Sequence, residues 1–223
     1  MTVVIPAFNE GSRILRVIQK LRVLGFPNIV VVNDGSRDDT ASVVESQDEV
    51  KLINHVVNLG PGASTMTGIK YALTKGANYI ATIDADFQSD PTDLLKLVKS
   101  IYTKNVELLI GSRFLTKNDI PLSRQLYNFF GNIISFLKTG LLVSDSQSGL
   151  KVMKRSFAEK LYIDYNGFEF CIDIIKKAKL NKASIAEEPI GVSYTKETMA
   201  KGQNFQEGLM MLGKLLNPFG NQA

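Results

Sequence analysis

The sequence has little of the chemistry that supports disulfides, soft metal sites or cysteine catalysis. Its 223 residues include one cysteine, Cys171, and one histidine, His55. A single cysteine excludes an intramolecular disulfide framework and favours a reducing compartment. One histidine and one cysteine also disfavour a His/Cys zinc site and a Cys–His nucleophile. Because His55 lies in an apolar run, we expect it to be a packed residue rather than a ligand.

Two phosphate-binding signatures and a secretion signal are also missing. No Gly-x-Gly-x-x-Gly or Gly-Lys-Ser/Thr motif follows an apolar run, which disfavours a nicotinamide-dependent Rossmann enzyme and a P-loop NTPase. Met1 leads directly into an apolar segment, without the basic and apolar regions of a signal peptide. We therefore expect a cytoplasmic protein.

Positive charge is concentrated in the second half of the chain. The formal net charge is +4, and residues 113–160 contain eight Lys/Arg against three Asp/Glu. Such a segment is typical of solvated surface or of a surface that meets a phosphate-bearing partner. Nucleic acid is disfavoured as that partner, because no nucleic-acid-binding motif accompanies the charge.

Strand-like apolar runs alternate with helical patterns in the first half of the chain. The patterns predict strands at 2–7, 28–32, 51–57, 79–83 and 107–110, and helices at 13–24, at 38–46, from after 62 to 74, and at 91–102. This alternation predicts one α/β domain with a mostly parallel, doubly wound sheet and flanking helices. Ligands bind such sheets beyond the carboxyl ends of the strands. Polar clusters lie there, at 8–12, 33–36, 58–62 and 84–90.

The strongest candidate site follows the fourth predicted strand. Asp84 and Asp86 are two residues apart, and Gln88 follows at the same spacing. Strand residues two apart point the same way, so the three side chains can converge where the strand ends. Such oxygen ligands suit Mg²⁺ or Mn²⁺, and Mg²⁺ is usually held by one or two carboxylates plus substrate phosphates. An N-cap role for Asp90, ahead of Pro91, leaves the acidic pair unexplained.

The pattern changes after residue 113. Residues 122–143 are rich in leucine, isoleucine and phenylalanine but are too polar for a membrane span. Two interpretations remain: a core helix, or an amphipathic helix at a membrane surface, which the basic flanks support. We then predict a polar turn at 145–151 that leads into a short strand, a helix at 167–180, a strand at 183–192 and an amphipathic helix at 205–216.

Five motifs, in this order along the chain, resemble those of the inverting glycosyltransferases of family 2. They are Val4-Ile5-Pro6-Ala7-Phe8-Asn9-Glu10, Val32-Asn33-Asp34-Gly35-Ser36, Asn58-Leu59-Gly60-Pro61-Gly62, Asp84-Ala85-Asp86-Phe87-Gln88-Ser89-Asp90-Pro91 and Gly111-Ser112-Arg113-Phe114. The fourth motif and Asp145-Ser146-Gln147-Ser148-Gly149-Leu150-Lys151 are most similar to the polyprenyl-phosphate sugar transferases, such as dolichol-phosphate mannose synthases. The resemblance covers nearly the whole chain and implies a GT-A fold.

The resemblance implies a nucleotide-sugar donor and a divalent metal ion. The donor would bind at Pro6, Ala7, Glu10, Asp34, Gly62, Asp84, Ala85 and Asp86, and Mg²⁺ or Mn²⁺ at Asp84, Asp86 and Gln88. Carboxylates such as Glu10 and Asp34 accept hydrogen bonds from ribose hydroxyls and base N–H groups. The metal would offset the charge that builds on the departing nucleoside diphosphate. UDP-glucose, UDP-N-acetylhexosamine and GDP-mannose remain open as donors.

On the acceptor side, the resemblance implies that Arg113 and Arg124 bind a lipid phosphate, since guanidinium groups match phosphate oxygens. Asp145 would complete the catalytic set with Asp86 and Arg113, as a general base or as a positioning group. A phosphate acceptor, whose second pKa is about 6, needs no strong base. A sugar hydroxyl acceptor does need one.

The sequence departs from relatives at three places. The turn before Gly35 has Asn-Asp where relatives commonly have two acids, and the C-terminal transmembrane helices of the family are missing. The segment 193–203 lacks the arginine of the mannose synthases. Lys196 or Lys201 would replace it near the donor diphosphate, unless both are surface lysines. The absence of tryptophan excludes the Gln-x-x-Arg-Trp signature of processive polysaccharide synthases, which favours a single transfer.

The sequence therefore predicts a single domain, residues 1–223, with a nucleotide-sugar-binding half at 1–112 and an acceptor-binding half at 113–223. The expected activity is inverting, metal-dependent transfer of one hexose to a polyprenyl phosphate, with peripheral contact to the inner face of the cell membrane. The alternative is a soluble glycosyltransferase that adds a sugar to a glycan hydroxyl in surface polysaccharide synthesis. The oligomeric state stays open.

Overall fold

The computed structural model describes residues 1–194, which form a seven-stranded sheet with helices on both faces. The strands are β1 (Thr2–Ala7), β2 (Ile29–Asn33), β3 (Val50–Asn54), β4 (Tyr79–Thr82), β5 (Leu108–Ser112), β6 (Lys151–Lys154) and β7 (Ile185–Pro189). The helices are α1 (Gly11–Val23), α2 (Thr40–Glu45), α3 (Pro61–Thr74), α4 (Thr92–Lys104), α5 (Leu122–Thr139), α6 (Arg155–Ala158) and α7 (Phe170–Leu180). The helix predicted at 205–216 lies outside the described residues.

The strand order is β3-β2-β1-β4-β6-β5-β7, and β6 alone among these strands runs antiparallel to its neighbours. The predicted α/β fold with a mostly parallel, doubly wound sheet is confirmed. All five residues of β2 are buried, as expected for a parallel strand covered by helices on both faces. One apolar core packs between the sheet and α1, α2 and α4, and a second between the sheet and α3, α6 and α7.

Most predicted boundaries shift by one to three residues, and three elements differ more informatively from the sequence prediction. β3 ends at Asn54, before Val56 and Val57, which are 99% and 58% exposed. Residues 55–57 have the composition of a strand but lie beyond β3, and the side chain of His55 hydrogen-bonds Asp34. The helix predicted to run to residue 143 ends at Thr139, since Gly140 adopts a left-handed conformation with φ of 65°. β7 is shorter than the predicted strand at 183–192.

Candidate active site

A cleft of about 530 Å³ opens beyond the carboxyl ends of β1, β2, β4 and β5. It lies where ligands bind in a parallel α/β sheet. The cleft brings together most of the predicted site residues: Pro6, Ala7, Glu10, Asp34, Asp84, Ala85, Asp86, Gln88, Arg113 and Arg124. Residues that are 118 positions apart in the chain therefore share one cavity. Its acidic groups follow β1, β2 and β4, and its arginines come from α1, from the end of β5 and from α5.

The acidic pair lies directly after β4, half-buried in the cleft wall. The Asp86 carboxylate accepts a hydrogen bond from the Gln88 N–H at 2.9 Å, and no hydrogen bond reaches the Asp84 carboxylate from the described residues. Burial, and next the charge of Asp86, raise the pKa of Asp84 to about 6, against the lowering effect of Lys151 and Arg113. Burial also raises the pKa of Asp86. Keeping both neighbouring carboxylates ionised costs free energy, because few hydrogen-bond donors reach them.

A divalent cation fits this donor set. Asp84, Asp86 and Gln88 offer hard oxygen atoms to one cavity, and Mg²⁺ or Mn²⁺ prefers such ligands. No group of three His, Cys, Asp or Glu side chains within residues 1–194 forms a complete protein cage. Two carboxylates that leave the other positions to phosphate and water are the usual arrangement for Mg²⁺.

Gly149 determines the space available to the Asp84 side chain. A Cβ atom at this position would overlap the carboxylate oxygens of Asp84. The carbonyl of Gly149 also accepts a hydrogen bond from the Thr82 hydroxyl at 2.7 Å, which ties it to the end of β4. The glycine is therefore required by the close approach of Asp84 to the backbone.

We expect Gly149→Ala to weaken Mn²⁺ binding by about tenfold or more, because the added methyl group displaces the Asp84 carboxylate. Titration with Mn²⁺, followed by the electron paramagnetic resonance signal of the free ion, measures the effect. Gly76→Ala is a stringent control: a Cβ there meets nothing within 4 Å, and the positive φ of Gly76, unlike the φ of Gly149, adds a backbone cost for alanine without any contact with the site. Equal Mn²⁺ affinity in the two variants would contradict the steric role of Gly149.

Asp34 is held rigidly at the end of β2. One carboxylate oxygen contacts His55 Nδ1 at 2.7 Å and the Leu59 N–H at 3.0 Å, and the other accepts the Gly60 N–H at 2.7 Å. His55 Nε2 lies 3.0 Å from the hydroxyl of Thr67. His55 therefore links Thr67 to Asp34 and helps to fix the position of the Asp34 carboxylate.

The neighbouring acid, Glu10, is engaged by a residue that the sequence did not single out. Arg13 Nε donates to the Glu10 carboxylate at 2.6 Å, and Arg13 is buried in the cleft wall. Arg13 lies three residues after Glu10, at the start of α1, and the sequence pattern identified it only as the first residue of a predicted helix. The sequence signal that could have identified Arg13 as a site residue is its place one helical turn after a candidate site acid.

Arg113 is fixed from behind by Asp145. Its Nε and one terminal nitrogen donate to the two carboxylate oxygens at 2.6 and 2.7 Å, and that terminal nitrogen also donates to the Asn128 side chain at 3.1 Å. Burial would lower the pKa of Arg113, but the charge of Asp145 outweighs it and raises the pKa above its usual value. The guanidinium therefore stays charged while it borders the cleft.

Asp145 is fully buried and does not border the cleft. Glu187 lies behind it and accepts hydrogen bonds from the N–H groups of Ser144 and Asp145. This geometry suits a positioning group for Arg113. Gly62 also does not border the cleft. Its N–H donates to the Asn166 carbonyl at 2.8 Å. Lys196 and Lys201 lie outside the described residues.

Helix α5 presents polar or small side chains to the body of the protein and large apolar side chains to the outside. Asn128, Gly131, Ser135 and Thr139 are buried with Ile134. The exposed apolar side chains are those of Leu122, Leu126, Phe129, Phe130, Ile133, Phe136 and Leu137. The helix is therefore not a core helix, and Arg124 and Tyr127 on it border the cleft. Within residues 1–194, no helix has both the length and the hydropathy to cross a bilayer.

Comparisons with known proteins agree with this fold. The chain is 33% identical to the UDP-N-acetylglucosamine–dolichyl-phosphate N-acetylglucosaminyltransferase of Methanococcus voltae, over 96% of the chain and 93% of the relative. It is 26% identical to the polyprenol monophosphomannose synthase of Mycolicibacterium smegmatis, over 95% and 85%. Its fold is similar to that of glucosyl-3-phosphoglycerate synthase from Mycobacterium tuberculosis, in a crystal structure with Mn²⁺, UDP and glucosyl-3-phosphoglycerate. The TM-score is 0.71 and the sequence identity 17%, over 96% of this chain and 78% of the synthase chain.

A family model described as "Glycosyl transferase family 2" matches residues 2–162, from the start of β1 to beyond α6. The matched range contains the acidic pair after β4 and the Arg113–Asp145 pair. The expected GT-A fold and glycosyltransferase activity are confirmed. The chain belongs to glycosyl transferase family 2, among relatives that include polyprenyl-phosphate and dolichyl-phosphate sugar transferases.

Proposed function

We propose that this glycosyltransferase transfers one hexose, with inversion, from a UDP- or GDP-sugar to a polyprenyl phosphate. The observation that carries the proposal is that one cleft joins the acidic pair after β4 to two arginines, Arg113 and Arg124. The acidic end suits a metal–diphosphate group, and the arginine end suits an acceptor phosphate. The relatives named above support a lipid phosphate as the acceptor.

In this proposal the donor is bound by the residues at the ends of β1, β2 and β4. Asp34, held by His55 and two backbone N–H groups, borders the cleft, where its carboxylate would accept a further hydrogen bond from the base or ribose. Glu10, Pro6, Ala7 and Ala85 border the same space, and Gly62 shapes the loop behind it. Lys196 or Lys201 would add positive charge at the diphosphate.

Asp84, Asp86 and Gln88 would hold Mg²⁺ or Mn²⁺. Bound there, the ion supplies Lewis-acid stabilisation of the departing diphosphate. The crystal structure of glucosyl-3-phosphoglycerate synthase with Mn²⁺ and UDP supports divalent metal use in this fold. The protein contributes the orientation of the two carboxylates, through the close packing of Asp84 on Gly149 and the Asp86–Gln88 hydrogen bond.

At the acceptor end, Arg113 would orient the phosphate oxygen that takes the sugar. Asp145 occupies Nε and one terminal nitrogen, and the described residues make no hydrogen bond to the other terminal nitrogen, which remains for a phosphate. Because Asp145 is buried behind Arg113, it is poorly placed to take a proton from an acceptor. An acceptor that is already ionised, such as a phosphate, needs no such base. Arg124 would provide a second contact to the phosphate from α5.

The outward apolar face of α5 is proposed to rest on the inner face of the cell membrane. Seven large apolar side chains on one helix face form a contiguous surface of the kind that marks an interaction site. The same helix carries Arg124 into the cleft, so a helix at the bilayer surface brings a lipid phosphate to the arginines. Residues 113–223 would then form the acceptor half of a single domain, and residues 1–112 the donor half.

The double variant Phe129→Ser/Leu137→Ser is expected to weaken vesicle binding by about tenfold or more, since both side chains leave water on docking. Both are largely exposed, at 59% and 72%, so stability should change little. Sedimentation with anionic vesicles that contain polyprenyl phosphate measures the effect. Val23→Ser/Leu180→Ser removes exposed apolar side chains outside α5 and is the control. Equal losses in both variants would contradict docking through α5.

The activity itself is tested by the destination of a radiolabelled sugar. Incubation with labelled UDP- or GDP-sugars, Mn²⁺ and polyprenyl phosphate should place the label in a lipid fraction that mild acid releases. Label that appears only on an oligosaccharide acceptor would overturn the lipid-phosphate assignment. Nuclear magnetic resonance of the product should show an inverted anomeric configuration, and retention would contradict the mechanism.

A further inference from the structure

Phe87, between two of the proposed metal ligands, adopts an unusual backbone conformation. Its φ is 62°, in the left-handed region. A non-glycine residue populates this region on the order of five- to thirtyfold less than the right-handed helical region. The Asp86 carboxylate closes the same turn by accepting the Gln88 N–H at 2.9 Å. Such a turn persists only where surrounding contacts hold it.

An arginine on α1 supplies one of these contacts. The guanidinium carbon of Arg16 lies 4.5 Å from the centre of the Phe87 ring, within the range of a cation–π interaction. Arg16 is exposed, and within residues 1–194 it makes no ion pair with a carboxylate. The ring of Phe87 also packs on the apolar core beneath α1, so the ring is fixed on one side by the core and on another by Arg16.

Arg13 lies one turn earlier on α1 and reaches the same region from the cleft side. It holds the Glu10 carboxylate, and its charge opposes the effect of burial on Asp86. The spacing i, i+3 puts Arg13 and Arg16 on neighbouring positions of the helix surface. Helix α1 therefore contacts both the proposed donor-binding acid and the proposed metal-binding turn.

We propose that Arg16 is a positioning residue for the metal ion: by stacking on Phe87 it holds the Asp86–Gln88 turn in the conformation that presents Asp86 to the cation. The inference rests on the proposed metal site at Asp84 and Asp86. It assigns a role at that site to Arg16, which would not touch the ion and does not border the cleft. Arg13, one turn away, fixes Glu10 beside it.

The test is a double-mutant cycle with Arg16→Met and Phe87→Leu, read out as the dissociation constant for Mn²⁺ in the presence of UDP. Free Mn²⁺ is followed by electron paramagnetic resonance, so no acceptor or turnover is needed. Arg16→Met should weaken Mn²⁺ binding by about two- to fivefold, the size of an exposed cation–π contact. Adding Arg16→Met to Phe87→Leu should cause little further loss, because the ring contact is already gone.

Lys20→Met is the matched control. Lys20 lies one turn further along α1, and its side chain makes no hydrogen bond or ion pair within residues 1–194. It should leave Mn²⁺ affinity unchanged. Thermal unfolding should show the same midpoint for Arg16→Met and the parent, since an exposed side chain contributes little to stability. Phe87→Tyr keeps the ring and should retain Mn²⁺ affinity even if Phe87→Leu does not fold.

An Arg16→Met variant that binds Mn²⁺ as tightly as the parent would overturn the inference while the metal site stands. Additive effects of Arg16→Met and Phe87→Leu would overturn it as well, because the arginine would then act by another route. A parent protein that does not bind Mn²⁺ at all, with or without UDP, would overturn the metal site and this inference together.

Discussion

Replacing Asp86 with alanine is expected to abolish sugar transfer, with a fall in kcat/KM of at least about a thousandfold. The variant removes one of two carboxylates that would hold the cation, and Lewis-acid stabilisation of a leaving group contributes several kcal/mol to the transition state. Asp86 is half-buried in the cleft wall and burial raises its pKa, so removing the charge offsets part of the cost of losing its hydrogen bond from the Gln88 N–H. A coupled assay of nucleoside diphosphate release measures the rate.

Asp90→Ala is the control for this variant. Asp90 belongs to the same acidic segment, but its carboxylate accepts the Thr92 N–H at 2.8 Å at the start of α4. Loss of this cap should lower stability by about 1 kcal/mol and leave transfer nearly unchanged. An Asp86→Ala variant with the parent's turnover would contradict the assignment of the site, whatever the behaviour of Asp90→Ala.

Arg113→Lys is expected to lower kcat/KM for the lipid phosphate by roughly a hundredfold. The guanidinium makes two hydrogen bonds to Asp145 and one to Asn128 while it faces the cleft, and a lysine cannot reproduce this fork. The substitution keeps the positive charge beside the buried Asp145, which avoids the cost of about 3–5 kcal/mol of leaving that carboxylate unpaired. Steady-state kinetics with varied acceptor concentration measure the change.

Arg124→Lys provides the comparison for Arg113→Lys. Arg124 borders the cleft from α5, where we propose that it makes the second contact to the acceptor phosphate, and the loss should be about tenfold and mainly in KM. Equal effects of the two substitutions would contradict the special role given to the Arg113–Asp145 pair. A larger effect of Arg124→Lys on kcat would place the reacting phosphate nearer α5.

The α/β fold and the metal-binding candidates were predictable because their signals are local. A strand that is buried on both faces leaves a continuous apolar run, as in β2, and the polar residues after such runs mark the carboxyl edge of the sheet. Asp84 and Asp86 stand at that edge in both sequence and structure. The position of β6 was not predictable, because its antiparallel insertion between β4 and β5 depends on pairing partners far away in the chain.

The parts of the site that sequence could not supply depend on contacts between distant residues. Arg113 and Asp145 are 32 residues apart, and nothing local indicates that the carboxylate lies behind the arginine rather than in the cleft. The pattern of α5 shows an apolar stripe but not its direction. Asn128 and Asn132, which interrupt the stripe, form the inward contacts, to Arg113 and to Ser144 and Ser146. Residue pattern alone left the core and membrane interpretations of this helix open.

The most direct test of the account is a crystal of this protein grown with Mn²⁺ and UDP or GDP, measured at a wavelength that gives anomalous scattering from manganese. We expect a single strong anomalous peak within bonding distance of the Asp86 carboxylate, beside the diphosphate and in the cleft shared by Glu10, Asp34 and Arg113. A peak outside this cleft, or a nucleotide bound there with Asp84 and Asp86 turned away from its phosphates, would contradict it.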